Sequence, residues 1–325
     1  MDDQSTVNEQ SSLTGTPKRI QCDQAAFTSV RSLMSEGYQI VGASNGVIPQ
    51  EKADIIRNSP SHGSLCRMGD TLAVGLLSYT LASGRRCTTY CCHAGKEQSG
   101  RGGDRVYSHM VFMDRPDFAL FNSDVTGVHK ALEEVVHQDG TILEKMNAMK
   151  SLQINVHSQS IDEEGNCTLP PLPNAVAEWL WPVAGEILAG RKTALVGWEE
   201  PFAFLKWLLL ILPQSVREVV DVSINVSFSP SRRLKLLFLP DLPVHVGRLL
   251  ASQAITLMRD GQPVPPIEPA YAPWLELLRT LWSQGHFKDM IGLAAQVPGQ
   301  VSASWLNGLA HKYNLSETGL PASSL

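Results

Sequence analysis

Two runs rich in β-forming residues, 86–93 (RCTTYCCH) and 105–113 (RVYSHMVFM), stand on either side of residues 94–104 (AGKEQSGRGGD). The middle stretch holds four glycines and no apolar residue larger than alanine. Strand, polar glycine loop, strand is the pattern of an antiparallel hairpin with a long tip. That hairpin excludes an all-helical fold, and the surrounding segments decide what it packs against.

Before it, the spacing of Ala26, Val30, Leu33 and Met34 predicts a helix over 24–36, with a strand open as the reading of its first half. Residues 37–44 (GYQIVGAS) alternate as a strand, and 49–57 begin with Pro49, harmless in the first turn of a short helix. After the hairpin, Val128, Leu132, Val135 and Val136 place a helix over 126–136. Farther on come a helix over 174–189 bent or split by Pro182, a strand at 193–197 and an apolar helix at 202–212. Val220, Val222, Ile224, Val226 and Phe228 share one face of a strand over 219–229. A second strand at 234–239 makes a hairpin around 230–233, and 248–258 is helical. Residues 261–273 carry five prolines and read as a linker to helices near 274–282, 288–296 and 304–312.

Strands and helices mix without strict alternation, so the fold class is α+β: two mixed halves with antiparallel hairpins, then a small helical segment. The expected boundaries are a disordered tail over 1–18, an N-terminal domain over 19–157 and a second over 158–260. The linker over 261–273 and helices within 274–325 follow.

With 32 acidic and 27 basic residues the chain has a net charge of −5, which argues against a nucleic-acid partner. Its N-terminus is polar and acidic, without the basic and apolar regions of a secretory leader. The longest apolar run, 202–212, has 11 residues with Lys206 inside, short of the ~20 a membrane span needs. Six cysteines do not make a disulfide framework, so a cytoplasmic protein is expected.

Few patterns carry chemistry. On one strand Cys87 and Cys91 would lie ~13 Å apart, too far to share an ion, so buried thiols are the expectation for Cys87, Cys91, Cys92 and His93, with zinc or a reactive thiol as alternatives. Residues 185–193 (GEILAGRKT) miss the phosphate-loop spacing, because Arg191 separates Gly190 from Lys192. There is no G-x-S-x-G, and no cofactor or metal is expected. The most informative segment is Gly100-Arg101-Gly102-Gly103-Asp104-Arg105. Its N–H groups could form an anion nest and its arginines offer forked donors. It reads as a solvated tip, a tip for a partner or a phosphate, or an arginine supplied to a nucleotide site. His109, on the outgoing strand, makes a rival reading as a phosphoester hydrolase with Arg101 and Arg105. A third reading is a structural subunit docking through Trp274, Trp282 and Trp305.

Gln24-Ala-Ala-Phe27, residues 37–44, then 99–103 (SGRGG) and 106–112 (VYSHMVF) together resemble the N-terminal domain of a bacterial GTPase-associated protein family. The matching positions are Gln24, Gly37, Ser44, Gly100, Arg101, Gly103 and His109. Residues 208–213 (LLLILP), Arg217 and 222–228 (VSINVSF) resemble the family's following section, which extends the likeness over about 20–250. The stretch after the proline-rich segment is short for the family's C-terminal extension, and the Ser-Phe section is a loose match. The resemblance implies an accessory protein acting beside a GTPase, without catalysis of its own. The expected function is therefore a non-enzymatic intracellular adaptor or regulator. It would recognise a GTPase-like partner through Gly100, Arg101, Gly102, Gly103 and Arg105, with His109 beside them.

Overall fold

The computed structural model describes residues 19–31, 36–68, 71–97, 103–139, 147–156, 168–297 and 301–317. The first half runs β1 (Arg19–Arg31), β2 (Glu36–Ser44), α1 (Pro49–Asn58), the short pair β3 (Arg67–Met68) and β4 (Thr71–Leu72), then β5 (Gly75–Thr80). It continues with β6 (Arg86–Lys96), β7 (Asp104–Met113), α2 (Arg115–Ala119), α3 (Val125–Asp139), β8 (Asn147–Met149) and β9 (Leu152–Asn155). The second half holds α4 (Asn174–Ala177), α5 (Leu180–Leu188), β10 (Thr193–Val196), α6 (Pro201–Ile211) and α7 (Gln214–Arg217). After these come β11 (Val222–Ile224), β12 (Leu236–Leu239), α8 (Val244–Ser252) and β13 (Thr256–Arg259), then α9 (Ala272–Ser283), α10 (Phe287–Ala295) and α11 (Ala303–Glu317).

The α+β class stands. One mixed sheet of order β13-β10-β12-β11-β5-β6-β7-β1-β2-β8 runs through both halves, with β9 paired to the start of β1. The expected hairpin is β6–β7. Strand alternation sends adjacent residues to opposite faces. Leu76, Tyr90 and Val111 therefore join a core with α3, α5, α6, α9 and α10, while Leu77, Cys91 and Met110 meet α1 and α8 on the other side. Helix α6 is apolar nearly all round because its surroundings are: Phe204, Leu205, Trp207, Leu208 and Ile211 are all buried. Each such side chain contributes about 1.5–3 kcal/mol. Among the described residues no helix is long and apolar enough to cross a membrane.

Several elements differ from their sequence reading. Of the helix expected over 24–36, residues 24–31 lie in strand β1, the alternative left open for the first half, and 32–35 lie outside the described residues. The strand is extended because β2, β7 and β9 pair with it. Its Ala25 and Ala26 are fully buried, so apolar spacing alone could not separate the two periods. The strand expected over 219–229 is cut to Val222–Ile224, because Asn225 turns the chain at φ 56 and donates its Nδ2 to Val74 O. Strand β12 then lies parallel to β11, so 219–239 is no hairpin. The helix expected over 248–258 is α8, a turn at Ala254 (φ 53) and strand β13. Pro182 sits in the first turn of α5, and the expected split falls just before it. Trp274 is fully buried, and Trp282 packs on Trp207 at 4.4 Å between centroids, so both belong to the core. Trp305 is 41% exposed.

The sheet crosses from one half to the other where β11 pairs antiparallel with β5. Arg86, 4% exposed on β6, reaches over β5 to this seam. Its Nε donates to Ser78 Oγ at 2.8 Å, Nη2 to Val220 O at 2.5 Å and Nη1 to Asp221 Oδ1 at 3.1 Å. Asp221 also accepts from Thr80 N at 3.0 Å. Burial pushes the Asp221 carboxyl above its usual value, and the Arg86 guanidinium below its own, despite their mutual attraction. Desolvation thus outweighs the pairing, and the pair sets register more than it adds net stability. Arg86→Met alone should cost about 3 kcal/mol, by stranding a buried carboxylate, whereas Arg86→Met with Asp221→Leu should cost less than the single change. Urea denaturation of the two variants checks this; a double variant worse than the single one defeats it.

Candidate functional site

Pairing of β6 with β7 continues to Lys96 and Asp104, farther than the β-forming runs alone suggested. Lys96 Nζ lies 2.9 Å from Asp104 Oδ1, and Glu97 N donates to Gly103 O at 3.0 Å. Gly103 has φ 84, a conformation that favours glycine, and a Cβ there would also press on the tip of the His62 ring. The hairpin is pinched shut at Glu97 and Gly103. Three of the expected contact residues, Gly100, Arg101 and Gly102, lie outside the described residues.

The stem below this pinch is built from buried polar groups. Glu97 accepts from Ser29 Oγ at 2.5 Å and from the Tyr38 hydroxyl, which itself accepts from Val106 N at 2.9 Å. Burial, with the Glu97 charge nearby, pushes the Tyr38 phenol up to about 12, so it stays a donor at neutral pH. Arg105 is only 5% exposed and gives its Nε to Ala94 O at 2.8 Å. It was expected among the contact residues; the structure places its side chain inside the stem, bracing β6 against β7.

His109 is also interior, 5% exposed on the face that carries Gln24 and Tyr107. Gln24 Nε2 donates to Lys150 O at 2.6 Å, which turns Gln24 Oε1 toward His109 Nε2 at 2.8 Å. His109 Nε2 therefore carries the proton, and Nδ1 accepts from Tyr107 Oη at 3.3 Å. Both ring nitrogens are engaged: Nε2 ties β7 to β1 through Gln24, and Nδ1 bonds Tyr107 on the same strand. Arg105 lies four residues away on the same strand face, ~13 Å along it. The two do not converge as the hydrolase reading requires.

Gln24 and Ser44, which belong to separate sequence motifs, form one unit. Gln24 N donates to Ser44 Oγ at 3.0 Å, and Ser44 Oγ donates to Asp23 Oδ1 at 2.7 Å. Arg85, which the sequence reading passed over, closes the chain. Its Nη1 meets Asp23 Oδ2 at 2.6 Å, its Nε and Nη2 fork onto Glu51 at 2.8 and 2.6 Å, and Nη2 also reaches Gly46 O. A Cβ on Gly46 would fall 2.1 Å from Asp23 Oδ2, so the turn must be bare for Asp23 to sit there. Gly37 stands apart, near the start of β2 opposite Val30 with φ 103. The signal for Arg85 was its place beside the Ser83-Gly84 turn, where a long cation can span two neighbouring loops.

Among the described residues no three His, Cys, Asp or Glu side chains gather as a metal-holding group. Burial raises the thiols of Cys87, Cys91 and Cys92 to about 11, about 12 and about 11, so they remain protonated at neutral pH. The arrangement is thus one of braces and fixed hydrogen bonds around the base of the β6–β7 hairpin.

Residues 21–123 match the family described as GTPase-associated protein 1, N-terminal domain type 2. The likeness read from Gln24, Gly37, Ser44, the hairpin and His109 is borne out over this stretch, which contains all of them. Residues 208–228, on which it was extended toward residue 250, fall beyond the match. No curated protein matches the chain.

The Arg85 unit makes a pH-dependent contribution. Burial alone would raise Asp23 and Glu51, but Arg85, helped by Ser44 and Gly46 N–H for Asp23 and by Ser83 and Ile48 N–H for Glu51, outweighs it. Both carboxyls lie below their usual values. Their stabilisation is present above the unfolded pKa of about 4 and is lost as pH falls through the folded values. Arg85→Gln should lower unfolding free energy by about 3 kcal/mol at pH 7, and the deficit should shrink below about pH 4. Urea melts at both pH values test it; a deficit unchanged in acid would contradict the linkage.

Proposed function

We propose that this chain is a non-catalytic component that associates with a GTPase partner, and that the pinched end of the β6–β7 hairpin is where it makes contact. The observation that carries the reading is the match of residues 21–123, within which the hairpin lies, to a GTPase-associated N-terminal domain. The stem supports it: Arg105, Glu97, Ser29 and Tyr38 spend buried polar groups on fixing the base of a glycine- and arginine-bearing connection. A rigid base lowers the ordering cost that a partner must overcome. Contact through Gly100, Arg101, Gly102 and Gly103 then rests on backbone approach and one forked cation. Arg105 and His109 serve as supports that hold the presenting strands.

Affinity capture with the full chain from its native cell extract tests the proposal. Wild type should recover a GTPase, and Arg101→Ala should reduce that recovery by about tenfold, the loss of roughly one charge-assisted bond, with an unchanged melting temperature. Full recovery with a folded Arg101→Ala moves the contact away from the hairpin end. Absence of any GTPase among the wild-type partners removes the association itself.

A further inference from the structure

Residues of α3, α6, α7 and α10, with Val74 beside β5, line an open cavity of about 670 Å³. That size lies within the range of small-molecule sites. Its floor is apolar, formed by Phe121, Phe202, Trp207, Leu210 and Ile291. His129 completes it as a neutral ring, 4.9 Å from Phe202 and 5.1 Å from Tyr90, with Nε2 donating to Gly75 O at 3.2 Å. Burial pushes this imidazole down to about 4, so at neutral pH it adds surface and no charge.

The wall charges are unevenly matched. Lys130, Lys206 and Arg217 line the cavity against Asp124 and Glu133, leaving one net positive charge. Among the described residues none of the three cations lies within ion-pair distance of a carboxylate. Asp124 is occupied at the start of α3, its Oδ1 accepting from Thr126 N at 2.8 Å and Thr126 Oγ1 at 2.6 Å. Arg217 is 4% exposed. Its Nε donates to Leu212 O at 2.7 Å and its Nη2 to Leu210 O at 3.3 Å, which closes the end of α6. Nη1 takes part in neither bond, the side chain borders the cavity, and Asp124 is the carboxylate whose charge acts on it. A guanidinium and two ammonium groups against two carboxylates, on the wall of a largely apolar cavity, make an arrangement that one anionic head would balance.

We infer that this cavity binds an amphipathic organic monoanion, with its carboxylate at Arg217 and Lys206 and its apolar body over Trp207 and Phe202. A single charge suits the chamber: Asp124 and Glu133 would repel a second one. This site is separate from the hairpin end, and it stands or falls independently of the GTPase association.

Isothermal titration of the full chain with decanoate, and with decanol as the neutral counterpart, tests the inference. Decanoate should bind saturably at one per chain, with decanol at least about tenfold weaker, the worth of about one charge-assisted contact. Lys206→Glu, on the cavity margin, should weaken decanoate by a similar factor, and Ala203→Phe should abolish binding by filling the chamber. Both variants should melt as wild type does, which avoids relying on Arg217, whose loss would also open the end of α6. No saturable decanoate binding, equal affinity for decanol, or binding indifferent to Ala203→Phe would each overturn the assignment.

Discussion

Three residue pairs, Val222 with Ser78, Ser223 with Leu77 and Ile224 with Leu76, carry the sheet from one half of the chain to the other. So short a pairing would slip easily, since a shift of one residue exchanges the two faces of every side chain. Arg86 removes that freedom. It spans β5 to take the Val220 carbonyl and the Asp221 carboxylate, and Phe118 lies under its guanidinium at 5.7 Å. With the seam fixed, the parallel strands β10, β12 and β13 are placed, and α5 and α6 can share one core with α3.

The same economy recurs at the hairpin end. Charged and hydroxyl side chains that look like surface chemistry in the sequence are spent inside, on Ala94 O, Ser29 and Val106 N. The Asp23–Ser44–Gln24–His109 chain does this across β1, β2 and β7. The motif residues of the matched domain are thus largely structural partners of one another. Their shared task is to hold β7, β1 and β2 in one register.

Much of the first half was legible because its signals are local. The glycine loop between β-forming runs, Pro49 in a first turn and the alternation of 37–44 each need no distant partner to be read. The errors share a cause. Segment 24–31 is a strand because three other strands pair with it, and small residues such as Ala25 and Ala26 suit a helix face equally well. The 219–229 alternation is real, but Asn225 leaves the strand to bond Val74 O, which is 151 residues away. Arg85 and Arg86 are adjacent and look alike in sequence; only tertiary placement sends one to Asp23 and Glu51 and the other to Asp221.

The pinch at Glu97 and Gly103 separates the architecture of the sheet from the length of what it presents. The ends of the connection are already brought together by the ladder and by the Lys96–Asp104 pair. Doubling the number of residues spanning such a fixed gap adds only about 0.6 kcal/mol of closure entropy. Lengthening that connection would therefore cost folding little, because the ladder beneath it already holds its two ends in place.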